Sequence, residues 1–226
     1  MHINKEDGMN KHVLEVAQSK INTNVNCDLW EFRRAREVED RRLYLYGEIL
    51  PPESDDGFYA DASITSLIVE QIIDYNRIDE GLETEEREPI RLYINSPGGD
   101  VTEGFALVSA IELSKTPVYT INMGQWSSMA FLIGITGHKR FSLPIASFLM
   151  HDGSTFAFGS TNKAQDKMDF EKRFEQEVVK THVLEHSNMK AIDYDALARV
   201  EYYLLPADAK ECGFIDEIVA NIETIF

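Results

Sequence analysis

The chain has 226 residues, of which 43% are hydrophobic and 27% are charged, as in an ordinary globular protein that can bury a large core. Its 22 Lys and Arg and 39 Asp and Glu give a formal net charge of −17, which disfavours binding to nucleic-acid phosphates. Two cysteines without CxxC spacing exclude a disulfide scaffold and a Cys-rich zinc module, and they favour a reducing, cytoplasmic location. We recognise no signal peptide and no apolar stretch as long as a membrane helix, so no membrane association is expected.

The chain is predicted to consist of an N-terminal arm and one domain. Residues 1–26 lack sustained periodicity, and we expect them to be flexible or ordered by a partner. Residues 27–226 alternate between strand-like and helix-like spacing of apolar residues. This alternation predicts right-handed βαβ units, a mostly parallel sheet and therefore an α/β fold.

The boundaries of the predicted elements are set where the spacing of apolar residues changes between helix-like and strand-like. In chain order they are a helix after Asp28, a strand at 42–49, a helix at 62–75 capped by Asp61 or Ser63, a strand at 90–94, a helix at 101–115, a strand at 118–121, a helix from near Trp126 to Gly137, strands at 140–143 and 147–150, an edge-like strand at 153–161, a long helix at 164–185, a short helix from Asp193 or Asp195, and a helix that stops at Gly213.

Two motifs lie where a predicted strand is followed by a helix, which is where open α/β sheets place their sites. The first is SPGGD at 96–100, whose adjacent glycines permit a sharp turn and expose backbone N–H groups. Those groups suit a phosphate or a developing oxyanion, or the glycines serve the turn alone. Neither a Walker lysine nor a GxGxxG pattern follows, which disfavours phosphate binding.

The second motif is MGQWSSMAF, which contains Ser127 and Ser128. A serine at the start of a helix is either a helix cap or a nucleophile favoured by the positive helix end. The GxSxG pattern of α/β-hydrolases is absent. His151 follows an apolar strand and borders a glycine-containing loop, a position typical of a cleft edge or of a structural histidine.

A third pattern is H-V-L-E-H, which matches the HxxEH pattern of inverted zinc peptidases. His182 and His186 would share one helix face, and Glu185 would be the base. Such a site needs a third ligand, usually a distant carboxylate, which the pattern does not supply. The same spacing also arises by chance in amphipathic helices.

Six segments occur in the order found in one family of serine peptidases, namely RLYLYGEI, RLYINSPGGDV, MGQWSSMAF, KRFSLP, FLMHDG and ECGFIDEI. From about Arg42 to its C-terminus the chain resembles the proteolytic subunit of Clp protease (ClpP). The resemblance implies a ClpP/crotonase-like spiral of ββα units with a protruding strand–helix handle at about 152–187.

The resemblance also implies residue roles. Ser128 matches the nucleophile and His151 the general base, while Ser127 occupies a position that is usually alanine. The backbone N–H groups of Gly99 and Met129 match the oxyanion hole, in which loss of one donor costs ~10²–10³ in rate.

The chain departs from the family at the third catalytic position. Glu201 occurs where the family usually has Asp, and its extra methylene moves the carboxylate by ~1 Å, a shift that can cost ~10²-fold. Glu201 is otherwise a solvated carboxylate, and Asp193 and Asp195 are the fallback candidates. Tyr202 replaces the Arg that the family uses to switch between active and compressed rings.

We therefore expect a serine endopeptidase subunit that hydrolyses unfolded polypeptides by Ser-His-acid catalysis and needs no metal or organic cofactor. The resemblance implies stacked heptameric rings, a tetradecamer, fed by an AAA+ unfoldase ATPase. The handle, with Phe156 and Phe158 on its edge strand, is expected to form ring–ring contacts. The alternatives are a weak or silent Clp-like subunit of a mixed ring, a crotonase-type acyl-CoA enzyme and the zinc peptidase.

Overall fold

The computed structural model describes residues 41–51, 63–153 and 160–225. The predicted arm at 1–26, the helix after Asp28 and the part of the edge strand that holds Phe156 and Phe158 lie outside the described residues. Contacts along the chain divide it into two units, Met1–Arg42 and Leu43–Phe226, and almost all described residues belong to the second.

Strands and helices alternate through this second unit, as the changes of apolar period predict. In chain order they are β1 (Arg42–Tyr46), α1 (Ile64–Ile78), β2 (Ile90–Ser96), α2 (Val101–Leu113), β3 (Val118–Ser127), α3 (Met129–Ile135), β4 (Lys139–Ser142), β5 (Ser147–Met150), α4 (Thr161–Phe174), α5 (Lys180–Glu185), α6 (Ala191–Leu197), β6 (Tyr202–Leu204), α7 (Pro206–Glu211) and β7 (Glu217–Ile218). A π-helical segment, Glu175–Val179, joins α4 to α5, so the long helix predicted at 164–185 is confirmed.

Among the described residues, seven strands form one sheet in the order β1-β2-β3-β4-β7, and β5 pairs with both β3 and β6. The pairings of β2 with β3, β3 with β4, β3 with β5 and β4 with β7 are parallel, whereas β5 and β6 are antiparallel. Strand β3 pairs with β4 along 119–122 and with β5 along 125–127. The end of β3 therefore lies beside the end of β5, and the predicted mostly parallel α/β fold is confirmed.

The central strands bury side chains on both faces, as is typical of parallel sheets. In β2, Leu92 and Ile94 are fully buried in the main core with residues of the helices. Tyr93, between them, belongs to a smaller cluster on the other face together with Ile121 and Phe141. This burial on both faces holds β2 and β3 in place beneath the turns that follow them.

The prediction that a helix starts near Trp126 is wrong. Strand β3 continues to Ser127, and α3 begins at Met129. Trp126 is fully buried, and it lies opposite Ser96 of β2 and Phe148 of β5. Pairing on both sides keeps this segment extended, which a pattern confined to neighbouring residues does not reveal.

Arg140 of β4 joins three C-terminal segments. Its guanidinium donates to both carboxylate oxygens of Asp216, at 2.7 and 3.1 Å, and to the carbonyls of His186 and Gly213. Partial burial opposes the ionisation of Asp216, but its hydrogen bonds with Arg140 outweigh burial and hold the pKa of this carboxyl below its usual value. Because the folded-state pKa is lowered, this stabilisation is present at neutral pH and is lost as the pH falls through that pKa.

We predict that Asp216→Asn lowers the free energy of unfolding by ~1–2 kcal/mol at pH 7, since a hydrogen-bonded charge is removed from a partly exposed site. The loss should shrink as the pH falls through the lowered pKa of Asp216, because the wild-type carboxylate is then itself protonated. Urea unfolding at pH 7 and over a series of acidic pH values measures this. Glu217→Gln is the control, because its ion pair with Lys139 is long, 3.9 Å, and exposed. Equal losses for the two variants, or a loss independent of pH, would contradict the prediction.

Candidate active site

Ser128 lies between β3 and α3 in a backbone conformation that L-residues rarely adopt. Its φ is 55° and its ψ is −125°. Strain of this kind persists only where the surroundings hold it, and it clusters at functional sites. Part of the restraint is a hydrogen bond from the Ser128 N–H to the carbonyl of Leu149, at 2.9 Å. This hydrogen bond holds the turn against β5.

His151 meets Ser128 because the two strands that carry them are paired. Ser127, at the end of β3, lies opposite Leu149 in the parallel β5. The residues that follow each strand therefore emerge at the same edge of the sheet, and His151 Nε2 lies 2.8 Å from Ser128 Oγ. This is the geometry in which an imidazole accepts the proton of a serine hydroxyl.

The glycine turn after β2 packs against this serine. Gly98 has a φ of +95°, and a Cβ added to it would lie 2.6 Å from the Ser127 carbonyl oxygen and 2.8 Å from Ser128 Cβ. Gly99 has a φ of +144°, and a Cβ there would lie 2.1 Å from the carbonyl oxygen of Ile49. Only glycine allows this close approach.

Two backbone N–H groups belong to the turns that follow β2 and β3. In the turns, loops and helix caps of the described residues, neither the Gly99 N–H nor the Met129 N–H donates a hydrogen bond to a backbone carbonyl. The Met129 nitrogen is also close to the glycine turn, at 2.9 Å from the position of a Cβ on Gly98. These two N–H groups suit the negative oxygen that forms when a hydroxyl attacks a carbonyl.

The candidate third residue, Glu201, is not joined to His151. The last described pair of the β5–β6 ladder is Met150 with Tyr202, and His151 and Glu201 are the next residue on each side of it. However, the exposed Glu201 carboxylate accepts a hydrogen bond from Tyr203 Oη at 2.8 Å. Within the described ranges, His151 has no hydrogen bond to any carboxylate.

The fallback carboxylates do not contact His151 either, as far as the described residues extend. Asp195 accepts a hydrogen bond from Lys180 Nζ at 2.5 Å, and Asp193 is exposed. Asp152, next to the histidine, uses its backbone N–H to bond the Ala198 carbonyl at 2.7 Å. The geometry therefore brings together Ser128 and His151. Among the described residues it adds no carboxylate hydrogen-bonded to the histidine.

A family model described as Clp protease matches residues 62–222, which is more than two thirds of the chain. The chain belongs to the Clp protease family. The match includes all five predicted site residues, and this membership supports a Clp-type peptidase. In the described part of this Clp protease chain, none of the helices combines the length and the apolar character needed to cross a bilayer.

A cavity of about 650 Å³ opens beside Ser128 and His151 of this Clp protease chain. Its walls are mainly apolar, and all of the following aromatic and aliphatic side chains come from helical segments rather than from the sheet. They are Phe105 of α2, Phe131 of α3, Met168, Phe170 and Phe174 of α4, and Val179 of the π-helical segment. The sequence pattern did not assign these residues to the site, although the apolar side chains of the otherwise charged α4 are a signal that could have found three of them.

We predict that Gly98→Ala lowers peptidase activity by ~10²-fold or more, because the added methyl displaces the backbone that positions Ser128 and Met129. Gly81→Ala is a matched control, since Gly81 also has a positive φ, +92°, but has nothing within 4 Å of an added Cβ. Both substitutions introduce backbone strain, because alanine disfavours a positive φ. Only Gly98→Ala should lose activity in a peptide-hydrolysis assay. An equal effect on activity would contradict the prediction.

Proposed function

We propose that the chain is the serine endopeptidase subunit of a Clp-type protease, with Ser128 as nucleophile and His151 as general base. The observation that carries the proposal is the 2.8 Å contact between His151 Nε2 and Ser128 Oγ at a strained turn. An unstrained helix cap would not need a left-handed backbone or an imidazole at the hydroxyl.

The reaction follows from this arrangement. Ser128 Oγ attacks the carbonyl carbon of the scissile amide while His151 Nε2 takes its proton. The negative oxygen of the tetrahedral intermediate is stabilised by the N–H groups of Gly99 and Met129. His151 then returns the proton to the leaving amine, and a water molecule activated by His151 releases the acyl group from Ser128.

We assign to Glu201 the orientation of His151 during this cycle. It directly precedes β6, the strand antiparallel to β5, and therefore lies at the same end of the ladder as the histidine. To act, the Glu201 carboxylate must give up the hydrogen bond from the Tyr203 hydroxyl and accept one from the Nδ1–H of His151. A carboxylate in that place holds the imidazole in the tautomer that accepts from the serine.

The proposed substrates are unfolded polypeptides with bulky apolar side chains at the cleavage site, because the cavity beside Ser128 has apolar walls. From family membership we infer stacked heptameric rings and an AAA+ unfoldase that delivers the chains. The active sites would then face an enclosed chamber.

One observation favours a second candidate function, a weakly active subunit of a mixed ring. Glu201 is hydrogen-bonded to Tyr203 rather than to His151, which is the arrangement expected of a site that needs a partner subunit to align it.

Hydrolysis of fluorogenic peptides by the purified full-length assembly tests the proposal, with the assembly mass measured in parallel. We expect a peptide with Phe or Leu before the scissile bond to be cleaved at least ~10-fold faster than one with Glu, since a buried unpaired charge is disfavoured in an apolar pocket. Assembled rings that cleave neither peptide would contradict the proposal. Activity that appears only on mixing with a standard Clp protease subunit would support the second candidate.

A further inference from the structure

Three potential metal ligands lie together on the side of α5 that faces α2 and α3. Glu112 is near the end of α2. His182 is in α5, and His186 is the residue directly after this helix, with its ring centroid 4.3 Å from that of His182. One ligand atom from each of these residues lies within 4.8 Å of the other two. None of the three lines the cavity beside Ser128, so this cluster is separate from the peptidase site.

The hydrogen bonds of His186 fix its tautomer. Its Nδ1 lies 2.9 Å from the carbonyl oxygen of His182. A carbonyl oxygen can only accept, so Nδ1 carries the proton and Nε2 carries the lone pair. In metal-binding histidines the nitrogen that does not bind the metal usually donates to a carboxylate, a water or a backbone carbonyl such as this one.

The tautomer of His182 is fixed in the same way. Its Nε2 lies 3.2 Å from the carbonyl oxygen of Leu132 and 3.1 Å from Thr136 Oγ1. The Thr136 hydroxyl donates its own proton to the Leu132 carbonyl at 2.7 Å, so it is an acceptor toward the histidine. Nε2 must therefore be the donor, and Nδ1 has the lone pair.

That lone pair faces a carboxylate. His182 Nδ1 lies 3.2 Å from Glu112 Oε1, and in the neutral tautomer both atoms are acceptors. A cation placed between these two atoms would satisfy both of them. The separation of 3.2 Å is close to the ~3.3 Å edge of a tetrahedron of N and O ligands around Zn²⁺.

We propose that Glu112, His182 and His186 bind one divalent transition metal ion of the Zn²⁺ type, which joins the segment of α5 to the end of α2. Two imidazoles and one carboxylate suit this ion, and partial exposure of Glu112 and His186 leaves its fourth position to water. The ion is structural. Glu185, the base that an HxxEH peptidase would need, is exposed, and hydrolysis is assigned to Ser128.

The test uses the full-length protein in its assembled form, stripped with a chelator and then dialysed against Zn²⁺ or Co²⁺. We expect one ion per chain by mass spectrometric metal analysis and, with Co²⁺, the visible absorption bands of tetrahedral coordination. The metal should also raise the melting temperature, because it binds the folded state. His186→Gln and Glu112→Gln should each weaken binding by at least ~10–100-fold, the loss seen even for residues outside the first coordination shell.

Glu185→Gln is the matched control, since it lies in the same motif but outside the cluster, and it should keep one ion per chain. His182 is buried and is left intact, so that a folding defect does not mimic loss of the site. Circular dichroism of the metal-free variants checks that each one folds. Absence of stoichiometric binding by the wild type, or binding that survives both His186→Gln and Glu112→Gln, would overturn the proposal.

Discussion

Ser128→Ala is expected to lower kcat/KM for peptide hydrolysis by ~10³-fold or more, since removal of a catalytic nucleophile costs up to ~10⁶ in other serine peptidases. The reason is local: the hydroxyl 2.8 Å from His151 is the group that forms the acyl intermediate. The variant should assemble normally, because alanine fits wherever the serine methylene does. Steady-state hydrolysis of a fluorogenic peptide measures the effect.

Ser127→Ala is the control for this prediction. Ser127 is only 8% exposed and belongs to β3, one residue from the nucleophile, so both substitutions remove a hydroxyl from the same turn. It should change kcat/KM by less than ~3-fold, because it has no catalytic role in the proposed mechanism. Full activity of Ser128→Ala, or an equal loss in Ser127→Ala, would contradict the assignment of the nucleophile.

Glu201→Gln is expected to lower kcat/KM by ~10²–10⁴-fold, because an amide at the third catalytic position favours the wrong imidazole tautomer. Tyr203→Phe is instead expected to raise kcat/KM. The Tyr203 hydroxyl holds the Glu201 carboxylate at 2.8 Å, and its removal frees that carboxylate to reach His151. The same hydrogen bond raises the pKa of Tyr203, so the phenol remains a donor over the working pH range.

The two variants are measured side by side with the same peptide, and their assembly masses are compared with the wild type. Because both residues are exposed, neither substitution should affect folding. Unchanged activity in Glu201→Gln would contradict the assignment of Glu201. A large loss in Tyr203→Phe would indicate that the tyrosine, rather than the glutamate, supports the histidine.

Part of the arrangement around the site could be predicted from the sequence. The strands predicted at 90–94, 118–121 and 147–150 correspond to β2, β3 and β5, and the parallel pairing of β3 with β2 and with β5 agrees with the predicted mostly parallel sheet. Which strands are neighbours was not predicted. Parallel pairing makes the carboxyl ends of neighbouring strands coincide, so residues far apart in sequence converge. The α/β fold class followed from the periodicity of the apolar residues.

Other features depend on tertiary contacts that no local pattern contains. Trp126 stays in β3 because it is buried between two neighbouring strands, although the residues around it also fit a helix. The positive φ of Ser128 occurs at a turn that is held by tertiary contacts, including the hydrogen bond from its N–H to the Leu149 carbonyl. Glu112 is separated by 70 or more residues from the histidines it contacts, so the HxxEH pattern gave two ligands without the third.

Labelling of the intact assembly with a fluorophosphonate probe tests the central claim most directly, because the probe reacts only with a serine activated by a base. The modified residue is identified by mass spectrometry, and Ser128→Ala is treated in parallel. We predict a single label on Ser128 that is absent from Ser128→Ala. A label on Ser127, or none on a well-folded assembly, would contradict the claim that Ser128 and His151 form a working catalytic pair.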